Sequence, residues 1–417
     1  MGVGEKKYPD RAYKLKHFSE EIVIIPQKDI DRIKAAPESK LSFQQASFDF
    51  FMGQFTGITG HDEAMSSLIR RDIARLVDRV YDIVEDEAVH AIEKELGPCK
   101  DWTPIVVLPK VVRIIINISQ RVFVGEALCR NDKWIKAITE CTAGAFQSVP
   151  VLWNYSWFTR PFVAWRLPVL RNIRKHRKEA KSLLKPILDE RITEMEKPDF
   201  KLHPDLIQLI LDGTKGKGRS LDYQLNALIG TGRASLFTTG VTVSYLIYDL
   251  ATRPEFIEPL RDEVLALRDA RLMGTIRKVL QPLELSDGTV LPVGTLLGVN
   301  TQDAVFKHTS LENPEVFDGL RFYNLRLRPG NEKKFQAVTT GPDHLVFGYG
   351  PQACPGRFFA VHEVKVVLSL ILSRYEFKLS KHVESLMARA IGIMTQTNGS
   401  VEYLFRRLGN GTRTTLD

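Results

Sequence analysis

The chain has 417 residues, a formal net charge of +8 and a pI of about 9.1; 44% of its residues are hydrophobic and 26% are charged. This balance is ordinary for a soluble globular protein, and a chain of this length can bury a core that encloses a cofactor. The four cysteines form no Cys-x-x-Cys pair, which excludes a disulfide framework and a cysteine-rich zinc site.

The first half of the chain is predicted to begin with two short strands, over 13–16 and 21–25, and to continue as helices. Apolar residues recurring at i, i+3 and i+4 predict helices over 28–35, 63–95, 102–123, 133–146, 162–197 and 203–212. No apolar run reaches the length of a signal peptide or a membrane anchor.

The second half contains the longest predicted helix, over 222–251, whose length suggests that it crosses the whole core. Asp287-Gly288 predicts a hairpin turn, and a final helix over 360–373 precedes a closing hairpin over 391–404 around Asn398-Gly399. The elements together predict a mainly α fold with small β-sheets, in a single domain over 1–417.

A Gly- and Pro-rich loop at 347–356 leads directly into the last helix. Pro355 suits a first helical position, which would place Cys354 at a helix N-terminus. Unpaired N–H groups and the positive end of the helix dipole favour a thiolate there, and glycines at 348, 350 and 356 let the backbone approach a flat molecule closely. A thiolate in this setting suits a haem iron, whereas the alternative is a buried structural cysteine beside a turn.

The spacing Phe-x-x-Gly-x-x-x-Cys-x-Gly, which Phe347, Gly350, Cys354 and Gly356 form, resembles the haem loop of the cytochrome P-450 monooxygenases. The resemblance implies that Cys354 is the axial thiolate ligand of the iron in haem b, and that the other three residues and Arg357 surround this cofactor. It also implies the cytochrome P-450 fold, here shortened at the N-terminus.

Other residues are assigned by the same resemblance. The family usually has Arg or His two positions before the cysteine, where it reaches a haem propionate; this chain has Gln352, which can donate a hydrogen bond but carries no charge. Arg277 is the second residue expected to face the propionates. The residues expected to line the substrate pocket are Leu236, Phe237, Met273 and Ile393.

The long helix contains a segment, 234–239, that resembles the oxygen-activating motif of the family, small-Gly-x-acid-Thr-Thr. Thr238, followed by Thr239, is the expected catalytic hydroxyl that assists oxygen activation and relays protons, and Ala234 leaves room for dioxygen. Phe237 stands where the family has an acid, so water would have to replace its proton transfer. The alternative is a pair of β-branched residues that bond their own i−4 carbonyls.

A Glu-Arg-Arg network braces the haem pocket in the family, and here it is incomplete. Arg321 matches the arginine of the family's Pro-x-x-Phe…Arg-Phe loop, the alternative being a surface turn with an unrelated arginine. Arg271 falls on the arginine of the family's Glu-x-x-Arg helix, but Arg268 occupies the glutamate position. Because 254–282 is shorter than the corresponding interval in the family, we interpret it as an internal deletion before the Asp287 hairpin, either genuine or from a misjudged splice site.

The implied activity is insertion of one oxygen atom of dioxygen into a small apolar natural product. Electrons would come from NADPH through an NADPH-cytochrome P-450 reductase. Segments 37–42, 128–131 and 318–322 look like those of fungal members that oxidise terpenoids and alkaloids in secondary metabolism. No motif supports a nucleic acid partner for the basic excess.

The family's N-terminal anchor and Pro-rich hinge are not found in the sequence, so we expect a cytoplasmic protein or one peripheral at the cytosolic face of the endoplasmic reticulum. One alternative is a truncated, non-catalytic remnant that binds haem or ligand weakly. Another is a helical binding protein without haem.

Overall fold

The computed structural model describes residues 7–8, 10–17, 20–58, 62–73, 80–257, 259, 273–301, 311–313, 316, 318–342, 344–383, 386–391 and 394–409. At 17, 20, 63, 273–275, 387–391 and 394–396 only the backbone is described. Most of the described residues are helical, and the strands form small sheets, as the sequence predicts.

The helices of the described part are numbered in chain order. They are α1 Ile30–Ala35, α2 Phe43–Phe50, α3 Gly53–Thr56, α4 Glu63–Leu68, α5 Tyr81–Leu96, α6 Val107–Val124, α7 Glu126–Cys129, α8 Asp132–Trp153, α9 Arg160–Arg166, α10 Pro168–Glu194, α11 Leu206–Gly213, α12 Leu221–Thr252, α13 Arg321–Arg326 and α14 Arg357–Arg374. Short 3₁₀ turns occur at Gln27–Asp29, Lys217–Arg219 and Pro254–Phe256, and a π-helical turn at Ile69–Ile73.

The strands are β1 Tyr13–His17, β2 Glu20–Ile24, β3 Leu41–Ser42, β4 Thr103–Val106, β5 Met273–Val279, β6 Leu283–Glu284, β7 Val290–Leu291, β8 Leu296–Asn300, β9 Tyr375–Leu379, β10 Met387–Ile391, β11 Met394–Thr397 and β12 Glu402–Arg407. The largest sheet has the order β1-β2-β8-β5-β3, and within it only β2 and β8 are parallel. A second sheet has the order β4-β12-β9, and β6-β7 and β10-β11 are separate hairpins.

The helices enclose a large apolar core, and the five-stranded sheet carries smaller cores of its own. The long helix α12 runs through the helical core and packs against α6, α8, α10 and α14. Its contact with α6 is close because Gly240 has no side chain: a Cβ there would lie 2.8 Å from Val112 Cγ2 and 3.2 Å from Val112 Cα. Close contact along α12 fixes the helix that carries the 234–239 segment.

Several predicted elements are confirmed. The strands at 13–16 and 21–25 correspond to β1 and β2, and the predicted long helix corresponds to α12. Asp287-Gly288 lies between β6 and β7, which pair in antiparallel register.

Three predicted elements differ from the structure, because tertiary pairing and proline override periodicity. The helix predicted from 102 begins only at Val107, since Thr103–Val106 pairs with β12. The helix predicted over 162–197 is two helices, since Leu167, in extended conformation before Pro168, interrupts it. The predicted closing hairpin is replaced by β10-β11, and β12 joins β4 and β9 instead.

We expect Gly240→Ala to destabilise the protein, by about 1–3 kcal/mol, because the added methyl group meets the backbone of α6. Gly230→Ala, on the same helix, is the matched control: nothing lies within 4 Å of its added Cβ, so the greater helix propensity of Ala should stabilise by up to about 1 kcal/mol. Urea unfolding midpoints measure both changes, and equal shifts of one sign would contradict the packing argument.

Candidate functional site

The cysteine loop is held by main-chain hydrogen bonds. The Cys354 N–H donates to the Phe347 carbonyl oxygen at 2.7 Å, and the Ala353 N–H donates to the Gly350 oxygen at 3.0 Å. Gly350 has a φ of +80°, and a Cβ at this position would lie 2.4 Å from Lys34 Cγ. Glycine is therefore required at Gly350 by both conformation and space.

The start of the last helix differs from the prediction. Helix α14 begins at Arg357 with Gly356 as its N-cap residue, so Pro355 lies in the preceding turn rather than at a first helical position. The Arg357 guanidinium folds back and its Nη1 donates to the Cys354 carbonyl oxygen at 3.0 Å. Cys354 is thus held just before the helix, and the cationic side chain of Arg357 is hydrogen-bonded to the main chain of Cys354.

The four cysteines differ in environment. Cys354 is partly exposed, whereas Cys99, Cys129 and Cys141 are buried. Burial raises the pKa of the Cys99 thiol, and it raises the pKa of Cys129 and of Cys141 to about 11. These three side chains therefore stay protonated at neutral pH, while Cys354 alone has the accessibility of a ligand.

Gln352 links the cysteine loop to the edge of the large sheet. Its Nε2 donates to the Leu41 carbonyl oxygen at 2.8 Å, and its Oε1 accepts from the Phe43 N–H at 3.1 Å. The amide thus braces the loop against β3 and the start of α2, a role that the sequence did not suggest. A contact between Gln352 and a cofactor stays a prediction, for which the amide retains one N–H.

Arg277, on β5, is a buried cation with incomplete partners. Its side chain is 3% exposed, its Nη1 donates to the Ile276 carbonyl oxygen at 2.8 Å, and its Nε has no partner among the described residues. The guanidinium lies 5.5 Å from the ring of Phe43. Burial lowers the pKa of Arg277 to about 10, and the Glu38 charge only partly offsets this. An anion beside Nε would relieve the cost of this burial.

In α12, the 234–239 segment turns Ala234 and Thr238 toward open space. The Thr238 Oγ1 donates to the Ala234 carbonyl oxygen at 2.7 Å, which is the i−4 bond of the alternative interpretation. The same bond leaves the hydroxyl oxygen able to accept, so it is compatible with the predicted role.

Two neighbouring assignments are corrected because of helix geometry. Thr239 is 2% exposed on the core side of α12, and its hydroxyl has no hydrogen-bond partner in the described part of the chain, so it does not share the open face with Thr238. Leu236 has no exposed surface and belongs to the helical core rather than to the wall of a pocket.

The remaining predicted pocket residues have different outcomes. Phe237 is partly buried, and its ring lies 5.4 Å from that of Phe146 on α8. Met273 begins β5, but its side chain is outside the described residues, as are Ile393 and Arg271.

Arg321, at the start of α13, bonds main-chain carbonyls. Its Nη2 donates to the carbonyl oxygens of Asn313 and Val316. Within the described ranges no carboxylate pairs with it. This arrangement braces the segment before α13, and the predicted network with Arg271 stays a prediction.

A buried carboxyl group that sequence reasoning missed lies beside α12. Glu363, on α14, has no exposed surface; its Oε1 shares a hydrogen bond with the Ser119 hydroxyl of α6, and its Oε2 shares one with the Ser235 hydroxyl at 3.4 Å. The two hydroxyls are 2.6 Å apart. Burial raises the pKa of Glu363 to about 8, although both hydroxyls lower it in part, so the carboxyl is mostly protonated at neutral pH. In the sequence, the only signal for this cluster is that Ser119, Ser235 and Glu363 are polar residues in largely apolar helices.

Comparison with known proteins identifies the family. A model of the family described as Cytochrome P-450 matches residues 64–273 and 262–401. The chain belongs to the cytochrome P-450 family. This match and the relatives below confirm two predictions: that the chain is of the fungal secondary-metabolism type, and that it is a haem-dependent monooxygenase.

Relatives similar to this chain over most of their length are fungal. Cytochrome P-450 monooxygenase BOA4 of Botryotinia fuckeliana is 34% identical over 406 residues, covering 90% of this chain and 82% of that protein. Cytochrome P-450 monooxygenase ascG of Acremonium egyptiacum is 30% identical over 438 residues, covering 91% of this chain and 82% of that protein.

A solved structure confirms the fold. Retinoic acid bound cyanobacterial CYP120A1 superposes with a TM-score of 0.71, covering 98% of this chain and 94% of that one at 14% sequence identity. Among the described residues, no helix combines the length and the apolar character needed to cross a membrane.

The family implies haem held by a cysteine thiolate, and the residues present fit that group. Cys354 is accessible, and a Cβ on Gly356 would meet nothing within 4 Å, which leaves space at the helix start. The orphan Nε of Arg277 is a donor suited to a carboxylate such as a propionate.

We expect the unfolding free energy to fall as pH rises, in part because of Glu363. Between the ordinary pKa of 4.5 and about 8, the unfolded chain releases a proton that the folded chain retains. Stability therefore decreases through this window by up to about 1.4 kcal/mol per pH unit, and the contribution is constant below and above it. Glu363→Gln should remove this slope, as measured by urea unfolding from pH 5 to 9.

Glu402→Gln, at an exposed carboxyl on β12, is the matched control and should reproduce the wild-type profile. Identical slopes for wild type and Glu363→Gln would show that this carboxyl is not protonated in the folded protein.

Proposed function

We propose that the chain is a haem-thiolate monooxygenase that inserts one oxygen atom of dioxygen into an apolar natural product of the terpenoid or alkaloid kind. NADPH supplies the electrons through an NADPH-cytochrome P-450 reductase. The observation that carries the proposal is the cysteine loop: Cys354 is partly exposed and fixed by the bond from its N–H to Phe347, whereas every other cysteine is buried. The fungal monooxygenases similar to this chain support the reaction class, and the terpenoid or alkaloid substrate is inferred from segments 37–42, 128–131 and 318–322.

Each described residue has a distinct task in this proposal. Bound haem supplies the redox chemistry that activates dioxygen. Cys354 would supply the thiolate ligand, Arg277 and the remaining N–H of Gln352 would bind the propionates, and the open space at Gly356 would admit the cofactor. Thr238 holds a proton-bearing hydroxyl on the open face of α12, and Phe237 contributes apolar surface that excludes water.

A second candidate is a non-catalytic remnant, and one observation favours it. The family model matches this chain in two segments that overlap at 262–273, the place where the sequence predicts an internal deletion. Residues 260–272, including Arg268 and Arg271, lie outside the described residues. A lost partner of a buried ion pair costs about 3–5 kcal/mol, a large share of the stability of a domain, and would weaken haem retention.

The absorption spectrum of the reduced protein under carbon monoxide separates these candidates. We expect the red-shifted Soret band of a thiolate-bound haem, lost in Cys354→Ser because a hydroxyl does not replace the thiolate. Cys129→Ser and Cys141→Ser are matched controls and should keep the band. A shorter-wavelength band in the unmodified chain would favour the remnant, and Cys354→Ser with an unchanged band would overturn the ligand assignment.

Thr238→Ala should uncouple electron use from product formation. Phe237 cannot transfer a proton, so proton delivery depends on the Thr238 hydroxyl and water, and its removal should divert oxygen to peroxide. The ratio of product to NADPH consumed should fall several-fold, with Thr239→Ala, on the buried face, as control. A ratio that is unchanged in Thr238→Ala would refute the role.

A further inference from the structure

Arg233, on α12 one residue before Ala234, has no anionic partner among the described residues. Its side chain is partly buried, and within the described part of the chain it makes no hydrogen bond or ion pair. It makes a cation–π contact with Phe51, because its guanidinium carbon lies 5.8 Å from the centre of that ring. Burial lowers the pKa of Arg233 to about 10, and the charge of Arg177 lowers it in addition.

Arg177, on α10, is a second cation at the same place. Its Nη2 donates to the amide oxygen of Asn226 on α12, and no carboxylate among the described residues pairs with it. A Cβ at the exposed Gly57 would lie 3.6 Å from the Arg177 guanidinium. The charge of Arg177 therefore acts on Arg233 across α10 and α12, and no carboxylate of the described residues is paired with either side chain.

A third arginine, Arg191, is buried but has a carboxylate partner. Arg191 is buried to a similar or greater extent, and both of its terminal nitrogens bond Asp205, with Nη2 and Oδ2 2.9 Å apart. Buried cations are ordinarily paired in this way because the cost of desolvation is otherwise uncompensated. Two neighbouring arginines without a carboxylate partner therefore indicate a binding site for an anion from outside the protein.

Aromatic rings lie beside Arg233. Phe51 and Phe146 pack edge to face with centroids 5.1 Å apart, and Phe146 and Phe237 are 5.4 Å apart. Phe237 is four residues after Arg233, so the two side chains share a face of α12. Thr238 is five residues after Arg233, a rise of about 7.5 Å along the helix. An apolar body against the rings would thus place one end near Arg233 and another near the open face at Thr238.

We propose that Arg233, supported by Arg177, binds a carboxylate of the substrate, so that the substrate is an apolar molecule carrying one negative charge. The inference rests on the proposed function for what happens to this molecule, but not for its binding. The carboxylate would accept hydrogen bonds from the guanidinium, while the apolar body would lie against the row of three phenylalanine rings.

Isothermal titration calorimetry at pH 7.4 tests the proposal with two probes of equal chain length, decanoate and 1-decanol, on the purified full-length protein. Wild type should bind decanoate at least tenfold more tightly than 1-decanol. Arg233→Met keeps the length of the side chain and removes the charge, so this preference should disappear through loss of decanoate affinity alone. Arg171→Met, at an exposed position of α10, makes the same change in net charge and should keep the preference.

Thermal unfolding gives a second readout. Arg233→Met should have a higher Tm than wild type without ligand, because an unpaired buried charge is removed. Equal binding of both probes by wild type, or an equal loss of both in Arg233→Met, would overturn the proposal. So would a lower Tm with an unchanged preference, which would assign Arg233 to packing. Because the titration does not use the carbon monoxide spectrum, failure of haem ligation and failure of anion binding are distinguished.

Discussion

The hydrogen bond from the Cys354 N–H to the Phe347 carbonyl closes a loop whose two ends belong to different cores. Leu345, before the loop, is buried in the core of the large sheet, and Phe359, after it, is buried among the helices and lies 5.6 Å from Phe123. The position of the thiol is thus set by both cores at once. The tight approach of Gly350 to Lys34 leaves no room for adjustment, so the loop depends on packing on either side.

Two cations near the site, Arg277 and Arg233, are withdrawn from solvent and have no carboxylate partner among the described residues. Arg191 and Arg130 have carboxylate partners. Arg277 has a buried Nε without a hydrogen-bond partner among the described residues, and Arg233 there contacts the Phe51 ring but has no hydrogen bond or ion pair. Such groups reduce stability unless an anion is bound. Arg233 lies beside the 234–239 segment and Arg277 lies on β5. We therefore expect the protein to reach its full stability only when anionic ligands are bound to these side chains.

The sequence predicts those parts of the site in which one residue type is chemically necessary. The glycines, the cysteine and the long helix carry such a signal. Thr103–Val106 and β12 carry none, because their pairing depends on segments about 300 residues apart, and a helical period fits 103–106 equally well locally. Ser119, Ser235 and Glu363 come from three helices, and Phe51, Phe146 and Arg233 come from three separate segments, so neither cluster exists until the helices pack. Thr239 and Leu236 were misassigned because a motif gives positions along a helix but not which face the core covers.

The bonds of Gln352 have a consequence for communication within the molecule. The same amide holds Leu41 and Phe43, and the helix that starts at Phe43 leads directly to Phe51 beside Arg233. The Cys354 loop and the aromatic wall, which consists of Phe51, Phe146 and Phe237, are therefore both connected to the segment that Gln352 holds. Thermodynamic linkage is reciprocal, so a molecule that orders the wall through this segment strengthens cofactor retention by the same factor by which the cofactor strengthens its binding. A single neutral amide thus connects the cysteine loop to the segment that carries Phe51.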